Sequence, residues 1–387
     1  MKSMKVMHLG DLHLGKSVND FNMIDDQRYI LEQILALIQE QGIDALLLAG
    51  DIYDRSVPSE EAVQLLDHFL CRLSENGVNT FIISGNHDSE ERLHFGSRLF
   101  ETNHVFICAK YDGTIYKKEC RDEFGRINIY LLPFVKASQV KYFYPEEKIE
   151  SYEDAVRVAL AHTDIDVSER NILVAHQFVA GKSADPKAGG SEGAAVLNVG
   201  TIEKIGADCF DDFDYVALGH IHSPQKIGRE TLRYSGSILK YSQSEIDNTK
   251  SAPVVAFGKK GEVSVELAEL KPRRDMRHLK GKMEQLLDPE HIISPEDYVF
   301  VTLTDDEPIP DAISIFQQHY KNTMKIMYDN AHTREKEQVI VTKAAEKDFP
   351  ERISDFYHMM YGCEISEDEM SIMKEIAEEA GVINEAG

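Results

Sequence analysis

The sequence predicts an α/β protein in which two stacked sheets carry helices on their outer faces over residues 1–270. Three observations predict it. Residues 1–85 alternate short apolar runs with amphipathic helical segments, the β-α-β-α-β order that forms a parallel sheet through right-handed crossovers. A second series of apolar runs with a different rhythm begins near Lys110. Five runs across both series end in side chains that bind metals, at the carboxyl ends of strands, where open α/β sheets place their ligand sites.

The first run, Val6–Gly10, ends in Asp11-Leu12-His13. A helix is expected over 27–41, with Ile30, Leu31, Ile34, Leu35 and Ile38 at helical spacing and Gly42 as its stop. The run Ala45–Gly50 ends in Asp51. Ser59 is the expected N-cap of the next helix, with Glu60 and Glu61 in its first turn and Val63, Leu66, Phe69, Leu70 and Leu73 as its buried stripe. Thr80–Ile83 then runs into Ser84-Gly85-Asn86-His87-Asp88. Strands at 114–116 and 127–132 flank a polar turn at Asp122–Gly125, and a helix follows around 152–162. Asn171–Ala175 ends in His176, and Tyr215–Gly219 ends in His220-Ile221-His222. Pro186–Gly193 reads as a flexible loop near the site. The runs 253–257 and 263–267 form a hairpin expected to extend the second sheet.

A Gly-Asn-His-Asp turn alone is ordinary loop chemistry, since Asn, Asp and Gly all favour turns. Five strand ends that together deliver Asp, His, Asp, Asn, His, His and His to one edge of a sheet make a site. In four of the five a glycine stands before the first polar residue, where a tight backbone turn is expected. The donor set contains Asp, His and Asn but no Cys, which suits a hard or borderline divalent ion such as Mn, Fe, Zn or Mg. Seven ligand-type groups exceed what one ion needs. Two ions sharing a carboxylate use them all, and Asp51 is the natural bridge. Such a pair clamps a phosphoryl oxygen and activates a water for in-line attack. The i,i+2 spacing of Asp11/His13 and His220/His222 places each pair on one face of a strand end. His87 is then left over, suited to protonating the leaving oxygen, with Asp88 to orient it.

At 387 residues the chain has room for two domains or more. Its 42% hydrophobic and 28% charged residues predict a soluble globular protein, and no apolar stretch approaches the roughly 20 residues of a membrane span. The amino end runs straight into the first strand, so a signal peptide is not expected. Five scattered cysteines without a Cys-x-x-Cys fit a reducing, cytoplasmic setting. A net charge of −25 argues against a chain that grips nucleic acid unaided. It favours a small substrate, metal-mediated phosphate contact, or a partner that supplies the grip.

Residues 271–282 hold the one basic cluster, read either as a solvated linker or as a contact surface. A strand at 298–303, a helix at 309–320 and a strand at 324–328 suggest a small separate α/β domain, with another short strand at 339–341. Near the carboxyl end Phe349, Ile353, Phe356, Tyr357 and Met360 mark one apolar helical face, and Ser366 is placed to cap a second helix. So short a helix pair docks either on its own body or on a partner.

These motifs, in this order, resemble the calcineurin-like metallophosphoesterases: Asp11-x-His13, Gly50-Asp51, Gly85-Asn86-His87-Asp88, the lone His176 and Gly219-His220-x-His222. The wider chain is similar to the SbcD-type nuclease subunits within that superfamily, through His8–Lys16, Gly50–Asp54, Gly219–His222 and Tyr234–Ser242. The resemblance implies a four-layer αββα sandwich over 1–270, a small α/β cap domain facing DNA over 271–345, and a C-terminal helical segment over 346–387. It implies two manganese ions, one held by Asp11, His13, Asp51 and His222, the other by Asp51, Asn86, His176 and His220. His87 and Asp88 would be catalytic. Lys16, Arg92, Arg273, Arg274 and Arg277 would contact DNA, and Phe349, Phe356, Tyr357 and Met360 would dock an SbcC-type ATPase. It further implies a homodimer within a heterotetramer, cutting single strands and degrading duplex ends in repair, replication and recombination. Two other readings stand beside it: a phosphodiesterase or pyrophosphatase acting on a small substrate, and a scaffold that kept the fold without the activity.

Overall fold

The computed structural model describes residues 3–181, 185–187 and 204–330, together with 350, 353–354, 357, 365–366 and 369–374. The first strand, β1 (Lys5–Leu9), is followed by a small ribbon of β2 (Ser17–Val18) and β3 (Phe21–Asn22). Helix α1 (Ile24–Gln41) leads to β4 (Ala45–Ala49), and α2 (Glu60–Glu75) leads to β5 (Asn79–Ile83). Helix α1 stops where the sequence predicts but starts three residues earlier, at Ile24 instead of Gln27, and α2 starts at its predicted cap. Gly42 ends α1 in the left-handed region at φ 62°, and Ser59 Oγ accepts from Ala62 N at the start of α2. The buried stripe of α2 runs through Ala62, Leu65, Leu66, Phe69 and Leu73, whereas Val63 is exposed. At 3.6 residues per turn Val63 lies about 100° around the helix from Ala62, off the packed face.

Two short helices, α3 (Glu90–His94) and α4 (Ser97–Phe100), precede β6 (Val105–Cys108). β1, β4, β5 and β6 pair in parallel. The second sheet is built from β7 (Tyr116–Asp122), β8 (Gly125–Leu132), β9 (Arg170–His176), β12 (Tyr215–Gly219), β13 (Gln225–Ile227) and β14 (Arg229–Tyr234). Its outer face carries α5 (Ala137–Phe143) and α6 (Tyr152–Ala161). Between β9 and β12 lie β10 (Val179–Ala180) and β11 (Ile205–Gly206), a parallel two-residue pair.

The hairpin of β15 (Ser251–Phe257) and β16 (Val263–Glu269) corrects the sequence reading. It extends the first sheet, where β15 runs antiparallel to β1 with Val6 opposite Val255. The cause is visible in β15 itself. Ala252 and Val254 pack on the helix side, while Val255 and Phe257 enter the core between the sheets. A strand apolar on both faces is buried only inside a sandwich. The two six-stranded sheets, ordered β16-β15-β1-β4-β5-β6 and β13-β14-β12-β9-β8-β7, stack face to face. Val6, Leu47, Phe81, Ile129, Ile172 and Tyr215 fill the space between them, and separate cores lie under the helices of each face. The result is the αββα sandwich.

A third sheet holds β17 (Met276–Gly281), β18 (Tyr298–Leu303) and β19 (Asn322–Tyr328). The chain divides into two compact units. The first comprises 1–278, 294–300 and 317–325; the second comprises 279–293, 301–316 and 326–387. In the first unit residues 271–278 are packed structure, since Met276 is 2% exposed and Arg274 pairs with buried Asp26. In the second unit α7 (Met283–Leu286) is capped by Asp305, which accepts from Met283 N at 3.0 Å. α8 (Ala312–Gln317) is shorter than the helix expected over 309–320. Ser366 Oγ accepts from Glu369 N while the Glu369 carboxylate accepts from Ser366 N, the reciprocal cap expected of Ser366. Most of the loop at 186–193, the strand expected at 339–341, and Phe349, Phe356 and Met360 lie outside the described residues. Among the described residues no helix is long and apolar enough to cross a membrane.

Candidate metal centre

The predicted ligands do not share one sheet edge. Asp11, Asp51 and Asn86 follow β1, β4 and β5 of the first sheet; His176 ends β9 and His220 and His222 follow β12, in the second. The centre lies where the carboxyl ends of the two sheets meet. A hydrogen bond across that junction, from His176 Nδ1–H to the Ala49 carbonyl at 2.7 Å, ties β9 to β4.

The backbone there is bent against its preferences. Asp11, His13, Asp51 and His220 adopt positive φ of 53°, 43°, 50° and 101°. Such conformations cluster where the surroundings over-determine them, and here they occur at the ends of β1, β4 and β12. Of the glycines expected to make tight turns here, Gly50 does so at φ 81°. Gly219 is needed for a different reason: a Cβ there would stand 1.9 Å from the Ala49 carbonyl oxygen and 2.8 Å from His176 Nδ1. Close approach of the two sheets, and not a turn, excludes a side chain.

The ligand atoms converge on one another. His13 Nε2 and His222 Nε2 are 3.0 Å apart, and Asp11 completes that group. Because His176 Nδ1 donates to Ala49, a neutral ring presents its Nε2 lone pair to Asn86 Oδ1 at 3.1 Å and to Asp51 Oδ2 at 3.4 Å. His220 Nδ1 meets the same Asn86 oxygen at 3.0 Å. With their ring nitrogens deprotonated, His13, His176, His220 and His222 would turn lone pairs toward the same space as the Asp11, Asp51 and Asn86 oxygens, an arrangement in which a cation takes the place of the protons. The donor set therefore fits divalent metal. Asp51 lies between the groups, 3.6 Å from His13 Nε2 and 3.4 Å from His176 Nε2. Asp11, Asp51 and His176 form a second cluster of ligand atoms.

Burial and mutual charge set the protonation of the free groups. Burial raises Asp11 to about 6 and lowers His13 to about 4. Burial also opposes charge on His176, but the charge and hydrogen bond of Asp51 outweigh it and lift the ring to about 9. The same pairing, with His13 and His87 nearby, holds Asp51 well below the carboxylate range despite its burial.

His87 sits beside this group, its ring 4.8 Å from that of His13 and perpendicular to it. Its Nδ1–H donates to the Asp54 carbonyl at 3.0 Å, which leaves Nε2 for a substrate. Asp88 does not orient it. The Asp88 carboxylate accepts from Ile52 N (3.1 Å), Tyr53 N (2.9 Å) and Gly85 N (2.9 Å), locking the loop after β4 to the loop after β5. A carboxylate already serving three backbone donors is a brace between loops, not a partner for a ring.

Sequence reasoning missed three residues here. Asp54 pairs with Lys16 at 2.7 Å and stands 3.6 Å from His13 Nδ1. Its only sequence signal was its place in Gly50–Asp54. Buried Glu245 lies 3.5 Å from His222 Nδ1 and pairs with buried Lys250 at 2.6 Å. Lys250 in turn donates to the His222 carbonyl at 2.8 Å. No local pattern marks this pair, because it reaches the site from a loop after β14.

The basic residues expected to meet DNA differ among themselves. Arg274 is committed to Asp26, with Nε 3.0 Å from Oδ1 and the guanidinium over Tyr298, which also donates to Asp26 at 2.8 Å. Arg277 pairs with Asp297 at 3.0 Å. Both serve the structure because a buried or half-buried carboxylate needs a cation nearby. Lys16 is held by Asp54, whereas Arg273 and Arg92 are exposed. Tyr357, expected at a partner surface, donates to Glu369 at 2.9 Å.

Residues 4–224 match the family described as calcineurin-like phosphoesterase. Residues 272–361 match SbcD_C, described as type 5 capsule protein repressor C-terminal domain. Among solved structures the chain is similar to a dimetal phosphatase from Danio rerio, at 11% identity over 70% of this chain and 98% of that one, with a TM-score of 0.39. It is also similar to an archaeal phosphodiesterase, at 9% identity over 68% and 99% of the two chains, with a TM-score of 0.31.

Proposed function

The chain belongs to the calcineurin-like phosphoesterase family and is a metal-binding phosphoester hydrolase; from that premise we propose that it is a DNA nuclease subunit of the SbcD type. It cuts phosphodiester bonds by two-metal catalysis, with manganese as the working ion, and acts on duplex ends together with an SbcC-type ATPase. What supports this reading is that groups of ligand atoms at the strand ends, Asp11 with His13 and His222 and Asp11 with Asp51 and His176, stand in a chain that also carries a separate C-terminal match to SbcD_C over 272–361. A hydrolase of small phosphodiesters needs the first and has no use for the second.

Asp11, His13 and His222 would hold one ion, Asn86, His176 and His220 the other, with Asp51 shared. Bound there, the ions supply Lewis-acid polarisation of a phosphoryl oxygen and generate a nucleophile from water at neutral pH. The chain's own residues do the rest. Ala49 fixes the His176 tautomer, Glu245 holds the Nδ1 side of His222, and Asp88 braces the two loops that carry Asp51 and Asn86. His87, held at Nδ1–H by the Asp54 carbonyl, would act in its doubly protonated form, passing the Nε2 proton to the leaving oxygen, or stabilising its charge, and ending as the neutral ring. The division into a nuclease domain (1–270), a cap (271–345) and a docking segment (346–387) belongs to the same proposal, as do DNA contacts from Lys16, Arg92 and Arg273. So do Phe349, Phe356, Tyr357 and Met360 as the partner contact, and a homodimer of the subunit.

The experiment is a gel assay on hairpin-ended duplex DNA, with manganese or chelator, with and without an SbcC-type ATPase and ATP. Manganese-dependent cutting of the duplex that requires the ATPase and ATP is expected. Turnover of a small phosphodiester with no cutting of any DNA would replace the nuclease reading with the small-substrate one. A chain truncated before Phe349 is expected to keep phosphoesterase activity and lose co-purification with the ATPase; retained co-purification would remove the docking assignment.

A further inference from the structure

Beside the metal centre, on the side of the second sheet, opens a cleft of about 650 Å³. Asn86 and His220 of the metal centre line it together with Phe134, Phe178, Gln177, Lys136 and Gln139. The size is that of a pocket for a drug-sized molecule, far more than a phosphate needs. Its walls are aromatic where they adjoin the ligands. The Phe134 ring lies nearly parallel to His220, at 26° and 6.5 Å between centroids, and 6.3 Å from His176. Phe178 stands perpendicular to His220 at 6.4 Å. Both phenylalanines are only partly buried. The position of Phe134 is set by its backbone, since Phe134 N donates to the Ser84 carbonyl at 3.0 Å, joining the end of β8 to the loop that carries Asn86.

A polar observation accompanies the aromatic one. Gln177 is fully buried in the cleft wall, with its Nε2 donating to the Val135 carbonyl at 3.3 Å. That bond fixes the amide orientation and leaves Oε1 buried with no hydrogen-bond partner among the described residues. An unpaired buried acceptor is costly and rare in a native structure.

We propose that this cleft holds the nucleobase of the nucleotide whose phosphate lies at the metal centre, with Phe134 and Phe178 as its stacking surfaces. The proposal rests on the phosphodiesterase reading above and names the substrate's recognised part. A base beside a phosphate comes from a DNA strand or from a free nucleotide ester, and both present the same chemistry to the cleft. Stacking is tolerant of base identity, which suits a hydrolase that cuts without sequence preference. It also requires the base to be unstacked from its neighbours, so single strands and frayed ends enter more readily than a closed duplex.

The test removes the base and the rings separately. Two substrate pairs are turned over with manganese: an oligonucleotide intact or abasic beside the scissile bond, and the p-nitrophenyl ester of thymidine 5′-monophosphate or its base-free counterpart. The proteins are the full chain and its Phe134→Leu, Phe178→Leu and Phe134→Tyr forms. Manganese affinity is measured on each by calorimetry, so that disturbance of His176 or His220 is seen directly. Each Leu variant is expected to lower kcat/KM about tenfold on the base-bearing member of a pair and to leave the base-free member unchanged. Manganese affinity is expected to hold, and Phe134→Tyr to restore the wild-type ratio. Selective loss on the oligonucleotide pair assigns the base to a strand. Selective loss on the ester pair alone, with DNA uncut by the wild-type chain, keeps the base site and refutes the nuclease reading. Equal losses on both members of a pair, or no turnover of either base-bearing substrate, overturn the base site.

Discussion

Replacing Arg170 with Met should unfasten the sandwich at the end opposite the metal centre. Arg170 begins β9 and is 3% exposed at its side chain. Its guanidinium forks onto Asp122, Nη2 to Oδ1 at 2.5 Å and Nη1 to Oδ2 at 2.9 Å, and also donates to the Gly258 carbonyl at 3.0 Å. Asp122 accepts in addition from Met4 N at 2.9 Å and Phe124 N at 2.8 Å. One buried pair thus joins the start of β1, the β7–β8 turn, the start of β9 and the end of β15. Removing the cation leaves a buried carboxylate with only backbone donors, a change that costs about 3–5 kcal/mol. Asp122→Asn in the same chain should recover part of that, because the buried charge is gone, although its one amide oxygen can accept from Met4 N or from Phe124 N but not from both, since the two bond different carboxylate oxygens.

The pH dependence follows from the direction of the Asp122 shift. Burial pushes its carboxyl up, but the hydrogen bonds from Arg170, Met4 and Phe124 and the Arg170 charge outweigh burial and hold it below the ordinary range. A depressed carboxyl contributes stability above its unfolded pKa of about 3.9 and loses it as pH falls through the folded value. The gap between wild type and Arg170→Met is therefore widest near pH 7 and narrows below about pH 4. Urea unfolding at several pH values measures the gap, and calorimetric manganese binding accompanies it. A variant within about 1 kcal/mol of wild type at pH 7, or one that loses manganese affinity while staying folded, would refute the reasoning.

Three further outcomes are expected. His87→Ala should bind manganese as wild type does and lose cleavage by about 10²-fold or more; weakened manganese binding would make His87 a ligand. Gly219→Ala should lose manganese affinity at least tenfold, because its Cβ would meet the Ala49 oxygen at 1.9 Å and displace the acceptor that fixes His176; unchanged affinity by calorimetry would show that the sheets can part there without effect. Arg274→Met should destabilise the protein by about 3 kcal/mol through Asp26 and leave the salt dependence of DNA binding unchanged, whereas Arg273→Ala should lower the salt slope by about one without affecting stability. A reduced salt slope in Arg274→Met would return that residue to the DNA surface.

Much of the site was legible in the chain because its parts are local. A strand that ends in Asp-x-His or Gly-His-x-His carries its ligands on its own backbone, so apolar periodicity and the next few residues place them without knowledge of the partner strand. The same locality made the caps at Ser59 and Ser366 and the stop at Gly42 readable. Residues whose roles depend on a distant neighbour were not readable. Asp88 seemed the partner of adjacent His87, yet its oxygens are taken by Ile52, Tyr53 and Gly85, 36 positions away in the first case. Arg274 and Arg277 looked like a basic patch until Asp26 and Asp297 were found against them.

Sequence alone determined which side chains could bind metal and that strand ends would present them, since strand propensity, turn chemistry and ligand type are properties of short stretches. Only the tertiary structure decided that the strand ends belong to two sheets, that β15 joins β1 rather than the second sheet, and that Gly219 is small because another backbone passes within contact distance. It alone brought Glu245 and Lys250 behind His222 and set Phe134 and Phe178 beside the metal ligands. The physical reason is the same in each case. Packing two twisted sheets back to back is a long-range event, driven by burial of apolar faces that many alternative pairings would also bury, and the contacts it creates leave no trace in the spacing of residues along the chain.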